Sequence, residues 1–360
     1  MKVRINWKRA AIALAVLPVA ALFVAWLGFF NVGAASGHWK ITEWFLHFAM
    51  RSAVRTYALP IAPPDGPPPV GVRPAAGHYA AGCAMCHGAP GAPRGATVRA
   101  MLPAPPALTA AALADWSDAE LFRIVKHGLR FTGMPAWPAQ ARDDEVWAMV
   151  AFLRRLPELA PRDYRSLAYG EAPPDSAGDV ANRFEGALAG CARCHGRDGT
   201  GGGETVPVIA GQRPAYLAAS LAAYAEGRRA SGIMQLAAGQ ADAALFDRLA
   251  RHYAGQSAPA APPTDAAPEL IERGRAIARR GIPERDVPAC LGCHGRPERN
   301  PVYPGLDGQR PDYLANQLRL FAAGVRGGTP YSHLMTAFAD ELTVRERAAL
   351  AAYFASRPAR

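Results

Sequence analysis

The sequence predicts an all-α protein: three small helical units in tandem behind an apolar N-terminal segment. Three observations carry this. No region sustains the period-two alternation of a half-buried strand. The pentad Cys-x-x-Cys-His occurs three times, at 83–87, 191–195 and 290–294, and uses all six cysteines. Proline-rich stretches divide the chain so that each interval holds one pentad.

The first element is the uncharged apolar run from Ala10 to Phe30, behind a basic flank over 1–9 that holds Lys2, Arg4, Lys8 and Arg9. As a helix, residues 10–30 rise about 31 Å, enough to cross a bilayer. The flank should stay in the cytoplasm and the rest be exported. The expectation is a single-pass protein of a bacterial inner membrane, N-terminus cytoplasmic and the remaining domains periplasmic. A cleaved signal peptide is the alternative, with Ala34-Ala35-Ser36 as a weak small-residue site. The length of the run and the character of the next segment favour a retained anchor.

That segment, 38–57, is amphipathic. Lys40, Glu43, His47, Arg51 and Arg55 make one polar stripe at helical spacing, and Ile41, Trp44, Phe45, Phe48 and Val54 take the rest. With Trp39 beside the anchor, this predicts an interfacial helix lying on the membrane. Packing on a neighbouring unit or on a partner's transmembrane helix is the alternative. His38 and His47 read as interfacial polar residues. Prolines 60, 63, 64, 67, 68, 69 and 74 then make 58–75 a stiff spacer, in which residues 60–74 reach about 45 Å if fully extended.

Three units follow, at 76–160, 178–256 and 268–357, joined by linkers near 157–181 and 255–268. In the first, the capping box Ser117-Asp118-Ala119-Glu120 opens a helix through Lys126, and Asp143 to Leu156 is apolar at helical spacing. The second closes with a helix from Ala241 to Tyr253. The third closes with the capping box Thr343-Val344-Arg345-Glu346 and a helix through Ala355. Units this small bury little surface alone, so a large apolar cofactor would complete each core.

The pentad is the attachment site of haem c: two thiols add across the vinyl groups and the histidine ligates iron. This assigns Cys83, Cys86, Cys191, Cys194, Cys290 and Cys293 to three covalent haem c groups, with His87, His195 and His294 as proximal ligands. A zinc site would need four ligands close together, yet the pentads lie 108 and 99 residues apart. A redox dithiol would sit in a βαβ context, and none is visible.

Each iron then needs a sixth ligand, and a thioether favours the ferrous state in electron carriers. Gly133-Met134-Pro135 follows its pentad histidine by 47 residues; Met234 and Met335 follow theirs by 39 and 41. All three precede a closing helix. Met101, Met149 and Met85 read as packing or badly placed residues, and His127 and His252 as helix-end residues. His333, two residues before Met335, is the rival ligand, and would lower the potential of the third haem.

The heptad Gly211-Gln212-Arg213-Pro214-Ala215-Tyr216-Leu217 recurs 97 residues later as Gly308-Gln309-Arg310-Pro311-Asp312-Tyr313-Leu314, and Arg229 and Arg326 continue the register. Units two and three therefore read as a duplication. The repeated arginine could pair with a haem propionate or be a solvated loop residue; Tyr216 and Tyr313 should pack near haem. With Cys-His-Gly-Arg-Asp-Gly-Thr-Gly at 194–201, the methionine loops and the closing helices, residues 180–357 resemble the di-haem cytochrome c-four class of periplasmic electron carriers. Residues 75–160 resemble a class I cytochrome c domain through their pentad and Gly-Met-Pro loop. The resemblance implies that Pro207 and Pro304 lend carbonyls to the proximal histidines. Arg296-Pro297-Glu298-Arg299-Asn300 departs from the class, which has a Gly-rich stretch there.

The formal charge is +10, which six propionates would bring to about +4. No dense basic cluster follows the anchor, so nucleic-acid binding is not supported. The expected function is a membrane-anchored tri-haem electron carrier, not itself an enzyme. Its donor would be a quinol-oxidising complex or a dehydrogenase, its acceptor a terminal oxidase or a soluble cytochrome. Alternatives are the cytochrome subunit of an alcohol, aldehyde or molybdenum dehydrogenase, or a haem peroxidase.

Overall fold

Cap chemistry sets where the helices begin. In the computed structural model, residues 6–28, 33, 36–170, 183–203, 205–239, 241–260, 265–295 and 300–359 are described, and every regular element among them is helical. Asn6 opens the first helix, Trp7–Trp26, by accepting a hydrogen bond from the Lys8 N–H. Mean hydropathy is 2.0 and none of it is buried, so this helix is long and apolar enough to cross a membrane, a test that a signal sequence also passes. It starts three residues before the predicted run and stops at Trp26. Phe30, Ala34 and Ala35 lie outside the described residues.

The amphipathic segment is the helix Lys40–Ala58. Its C-terminal half packs on the first unit: Val54 and Ala58 are buried, Arg51 and Arg55 pair with Asp115 and Glu120, and Arg51 lies over the Trp116 ring. Part of the polar stripe thus faces protein. The apolar residues Ile41, Trp44, Phe45 and Phe48 face outward, more than half exposed.

The first unit comprises the helix Val72–His78, which runs through a π-helical turn, Tyr79–Cys83, into Ala84–His87, and then Asp118–His127, Asp143–Arg155 and Pro161–Tyr169. Its core is aromatic: Tyr79 meets Phe152 and Tyr164 at ring separations of 5.3 and 6.3 Å. Two predicted linkers are partly helical. Val72–His78 begins inside 58–75, with Pro74 in the first turn, where a missing N–H costs no helical bond. Pro161 starts a helix inside 157–181 that buries Tyr164; residues 171–182 are outside the description.

The second unit contains Arg183–His195, Pro214–Ala225, Gly232–Ala238 and Ala243–Ala254 around Leu188, Leu217, Leu249 and Tyr253. The third contains Pro268–Arg280, Leu291–His294, Pro311–Ala322, Ser332–Asp340 and Val344–Ala355 around Ile277, Leu314, Leu350 and Phe354. Both capping boxes form as the sequence predicts. The helix Pro268–Arg280 crosses Val344–Ala355 at Gly274, where a Cβ would sit 2.0 Å from the Ala349 carbonyl oxygen.

The repeated heptads build the contact between units two and three. Gln309 bonds the N–H and C=O of Val208 at 2.9 and 2.8 Å, while Gln212 bonds the C=O and N–H of Gly305 at 3.0 and 2.9 Å. Arg310 donates to the Val206 carbonyl, and Arg213 to that of Tyr303. Each residue on one side has its repeat-mate doing the same on the other. This is the self-complementary geometry of a two-fold interface, made within one chain.

Candidate metal centres

Each pentad closes a helical segment, which puts its histidine at the helix end. The three imidazoles are held alike. Nδ1 of His87 lies 2.9 Å from the Pro106 carbonyl, that of His195 3.3 Å from Pro207, and that of His294 2.9 Å from Pro304. With Nδ1–H as donor, the tautomer is set and the lone pair stays on Nε2, the arrangement a metal-ligating histidine needs. Burial holds all three below the usual histidine value, so the imidazoles are neutral and able to ligate. The resemblance implied Pro207 and Pro304. Pro106 was not singled out, because no repeat marks it.

The cysteine environments fit thioether formation better than thiolate chemistry. Burial pushes the Cys83 thiol up to about 12, and those of Cys191 and Cys290 up to about 11. A zinc or redox cysteine is a stabilised thiolate, and no cluster of three metal-binding side chains occurs among the described residues.

Opposite the histidines, one continuous cavity serves units two and three. Cys191, Cys194, His195 and Met234 line it from one unit, and Cys290, Cys293, His294 and Met335 from the other. His333 is exposed and does not line this cavity; its neighbours Ser332 and Leu334 do. In the first unit Met134 is half-buried on a tight loop, its N–H bonded to Thr132 Oγ1 and its carbonyl to the Leu129 N–H. Gly128 permits this loop: at φ +64°, a Cβ there would meet the Met134 oxygen at 2.6 Å. Met149 is core, Met85 is exposed, and Met101 packs near Gly133. His127 and His252 end helices.

The repeated arginines divide into two pairs with different roles. Arg213 and Arg310 are used on backbone carbonyls across the interface. Arg229 and Arg326 are buried in the cavity wall. Arg229 donates to Ser220 Oγ, Tyr216 Oη and Tyr313 Oη at 2.9, 3.3 and 3.4 Å; Arg326 donates to Tyr216 Oη at 3.0 Å. Arg326 Nε has no partner, and neither guanidinium forms an ion pair among the described residues. Burial opposes ionisation of the Tyr216 phenol, but the two cations outweigh it and pull the group below the usual phenol value. Two buried cations with phenols for company call for an anion. A haem propionate carries that charge, so the residues present fit the group.

Comparison with known proteins follows the same division. Residues 71–153 match the family described as cytochrome c oxidase, cbb3-type, subunit III, and residues 185–261 the family described as cytochrome c. Cytochrome c4 of Azotobacter vinelandii is 32% identical over 192 residues, 49% of this chain and 89% of that protein. A thiosulfate dehydrogenase electron acceptor of Thiomonas intermedia is 32% identical over 198 residues, 53% of this chain and 83% of that protein. The solved structure of reduced recombinant cytochrome c4 from Pseudomonas stutzeri aligns at a TM-score of 0.45 and 27% identity, covering 50% of this chain and 100% of that one.

Proposed function

The chain belongs to the multihaem c-type cytochromes, with a cytochrome c4-like part and a further cytochrome c unit, and from that premise we propose that it is a tri-haem electron carrier anchored in the bacterial inner membrane. The helix Trp7–Trp26 is the anchor, and the haem domains at 76–160, 178–256 and 268–357 lie in the periplasm. The axial pairs are His87 with Met134, His195 with Met234 and His294 with Met335. The observation that carries this reading is the threefold His Nδ1–Pro carbonyl contact, one behind each pentad.

Haem c supplies a one-electron couple. The protein's part is to hold both ligands in place, keep water from the iron and neutralise the propionates, so that little reorganises when the charge changes. A quinol-oxidising complex or dehydrogenase would be the donor, and a terminal oxidase or soluble cytochrome the acceptor. Likeness of the first unit to an oxidase subunit supports delivery through that unit.

A second reading has one specific support. The similarity to thiosulfate dehydrogenase electron acceptors favours service to a dedicated dehydrogenase. A peroxidase needs an open sixth position, whereas each unit offers a methionine. EPR with near-infrared magnetic circular dichroism on the oxidised, haem-loaded protein tests the proposal. Three low-spin His/Met irons are expected, and a high-spin, peroxide-reactive iron would overturn it. Electron uptake from thiosulfate and its dehydrogenase would separate the two carrier readings.

A further inference from the structure

Glu145 belongs to the first unit, yet its carboxylate is shared between the first unit and the second. It sits in the first turn of the helix Asp143–Arg155 and is 2% exposed. Ser231 Oγ donates to Oε1 at 2.6 Å, and the Gly232 N–H donates to Oε2 at 2.7 Å. The first unit adds Trp137, whose Nε1–H donates to Oε2 at 3.2 Å, and Arg142, which pairs with Oε1 at 2.9 Å and donates to the Ala230 carbonyl. Gly232 is pressed against the Trp137 ring so closely that a Cβ would lie 2.3 Å from its nitrogen. Residues 230, 231 and 232 are thus each gripped from the neighbouring unit.

These three residues lead directly into Met234. Ser231 is the N-cap of the seven-residue helix Gly232–Ala238, accepting from the Met234 N–H at 3.1 Å. A helix this short has little stability of its own, so its start is set by what holds the cap. The single Ser231 hydroxyl proton goes to Glu145 in a short, charge-assisted bond. Arg142, Glu145, Ser231 and Met234 all line the same cavity.

We propose that Glu145 is a positioning residue for Met234, so that the first unit sets the sixth-ligand geometry, and with it the reduction potential, of the haem in the second. This rests on the reading of Met234 as an iron ligand. Loss of the carboxylate leaves Ser231 free to rotate and Gly232 N–H without an acceptor, and the thioether then loses its fixed approach. A weakened thioether lowers the potential.

The test uses the full-length, haem-loaded protein and the ferrous methionine methyl resonances, one per Met-ligated iron, assigned with a Met234→His control, alongside a potentiometric titration. Glu145→Ala should lose the Met234 resonance and shift the second haem to lower potential, with the other two haems unchanged. Glu145→Gln, which keeps an acceptor for Gly232 and Trp137, should retain the resonance. An interface role alone would lower stability and leave all three resonances and potentials as in the wild type; that result overturns the proposal. Should Glu145→Ala not accumulate with three haems, Glu145→Asp, which draws the carboxylate back from Ser231 and Gly232, decides on the same readout: loss supports the proposal and a wild-type spectrum overturns it. Absence of a Met234 resonance in the wild type would instead refute the ligand assignment.

Discussion

His333 and Met335 are separated by little more than half a turn of helix. Both stand at the start of Ser332–Asp340, but the imidazole is exposed and the thioether lines the cavity shared with His294. His333→Ala should therefore leave the spectrum and potential of the third haem unchanged, while Met335→Leu should convert that iron to a high-spin or water-ligated form, both read by magnetic circular dichroism. Gln309 shows the same dependence on tertiary context. It is buried and bonds both the N–H and the C=O of Val208 in the other unit, besides accepting from the Arg310 N–H. Truncation leaves a buried N–H and C=O unpaired, so Gln309→Ala should cost about 2–4 kcal/mol in chemical denaturation. The pentads and the candidate methionines can be named from spacing alone. Glu145 and Arg142 cannot, because the groups that use them lie some 85 residues away in sequence.

At the level of elements, helix starts were readable where a side chain caps its own helix, as at Ser117 and Thr343. Starts set by proline at the first position were hidden inside stretches that composition marks as linkers, as at Pro161. The Thr343 box carries a pH dependence. Burial opposes ionisation of Glu346, but hydrogen bonds from Arg285, Thr343 and Arg273 outweigh it and hold the carboxyl down at about 2, against 4.5 unperturbed. The carboxylate therefore stabilises the third unit fully above pH 4.5, and that contribution disappears as pH falls through 2. Glu346→Gln should flatten the acid limb of an unfolding curve and cost about 1–2 kcal/mol at neutral pH. Gly274 is the other element-scale test. With the Ala349 oxygen 2.0 Å from its absent Cβ, Gly274→Ala must push two helices apart and should destabilise the third unit by roughly 1–3 kcal/mol, seen as a lower Tm.

For the whole molecule, the amphipathic helix Lys40–Ala58 stands between the apolar N-terminal helix and the first unit. Its arginines dock on the first unit while Ile41, Trp44, Phe45 and Phe48 point away. Protein lacking residues 1–30 should still bind liposomes weakly, and replacing Trp44, Phe45 and Phe48 with serine should abolish that binding in a flotation assay. The sequence by itself determined the helical class, the three pentads and the duplication of units two and three, because pentads and repeats are written at short range. Only the tertiary structure decided that the repeated Gln-Arg pairs form a reciprocal interface, that Arg229 and Arg326 meet in one cavity, and that the first unit grips the start of the helix that carries Met234. The physical reason is that a hydrogen bond has one partner. Which distant donor reaches which acceptor depends on how the units pack, and no local pattern records it.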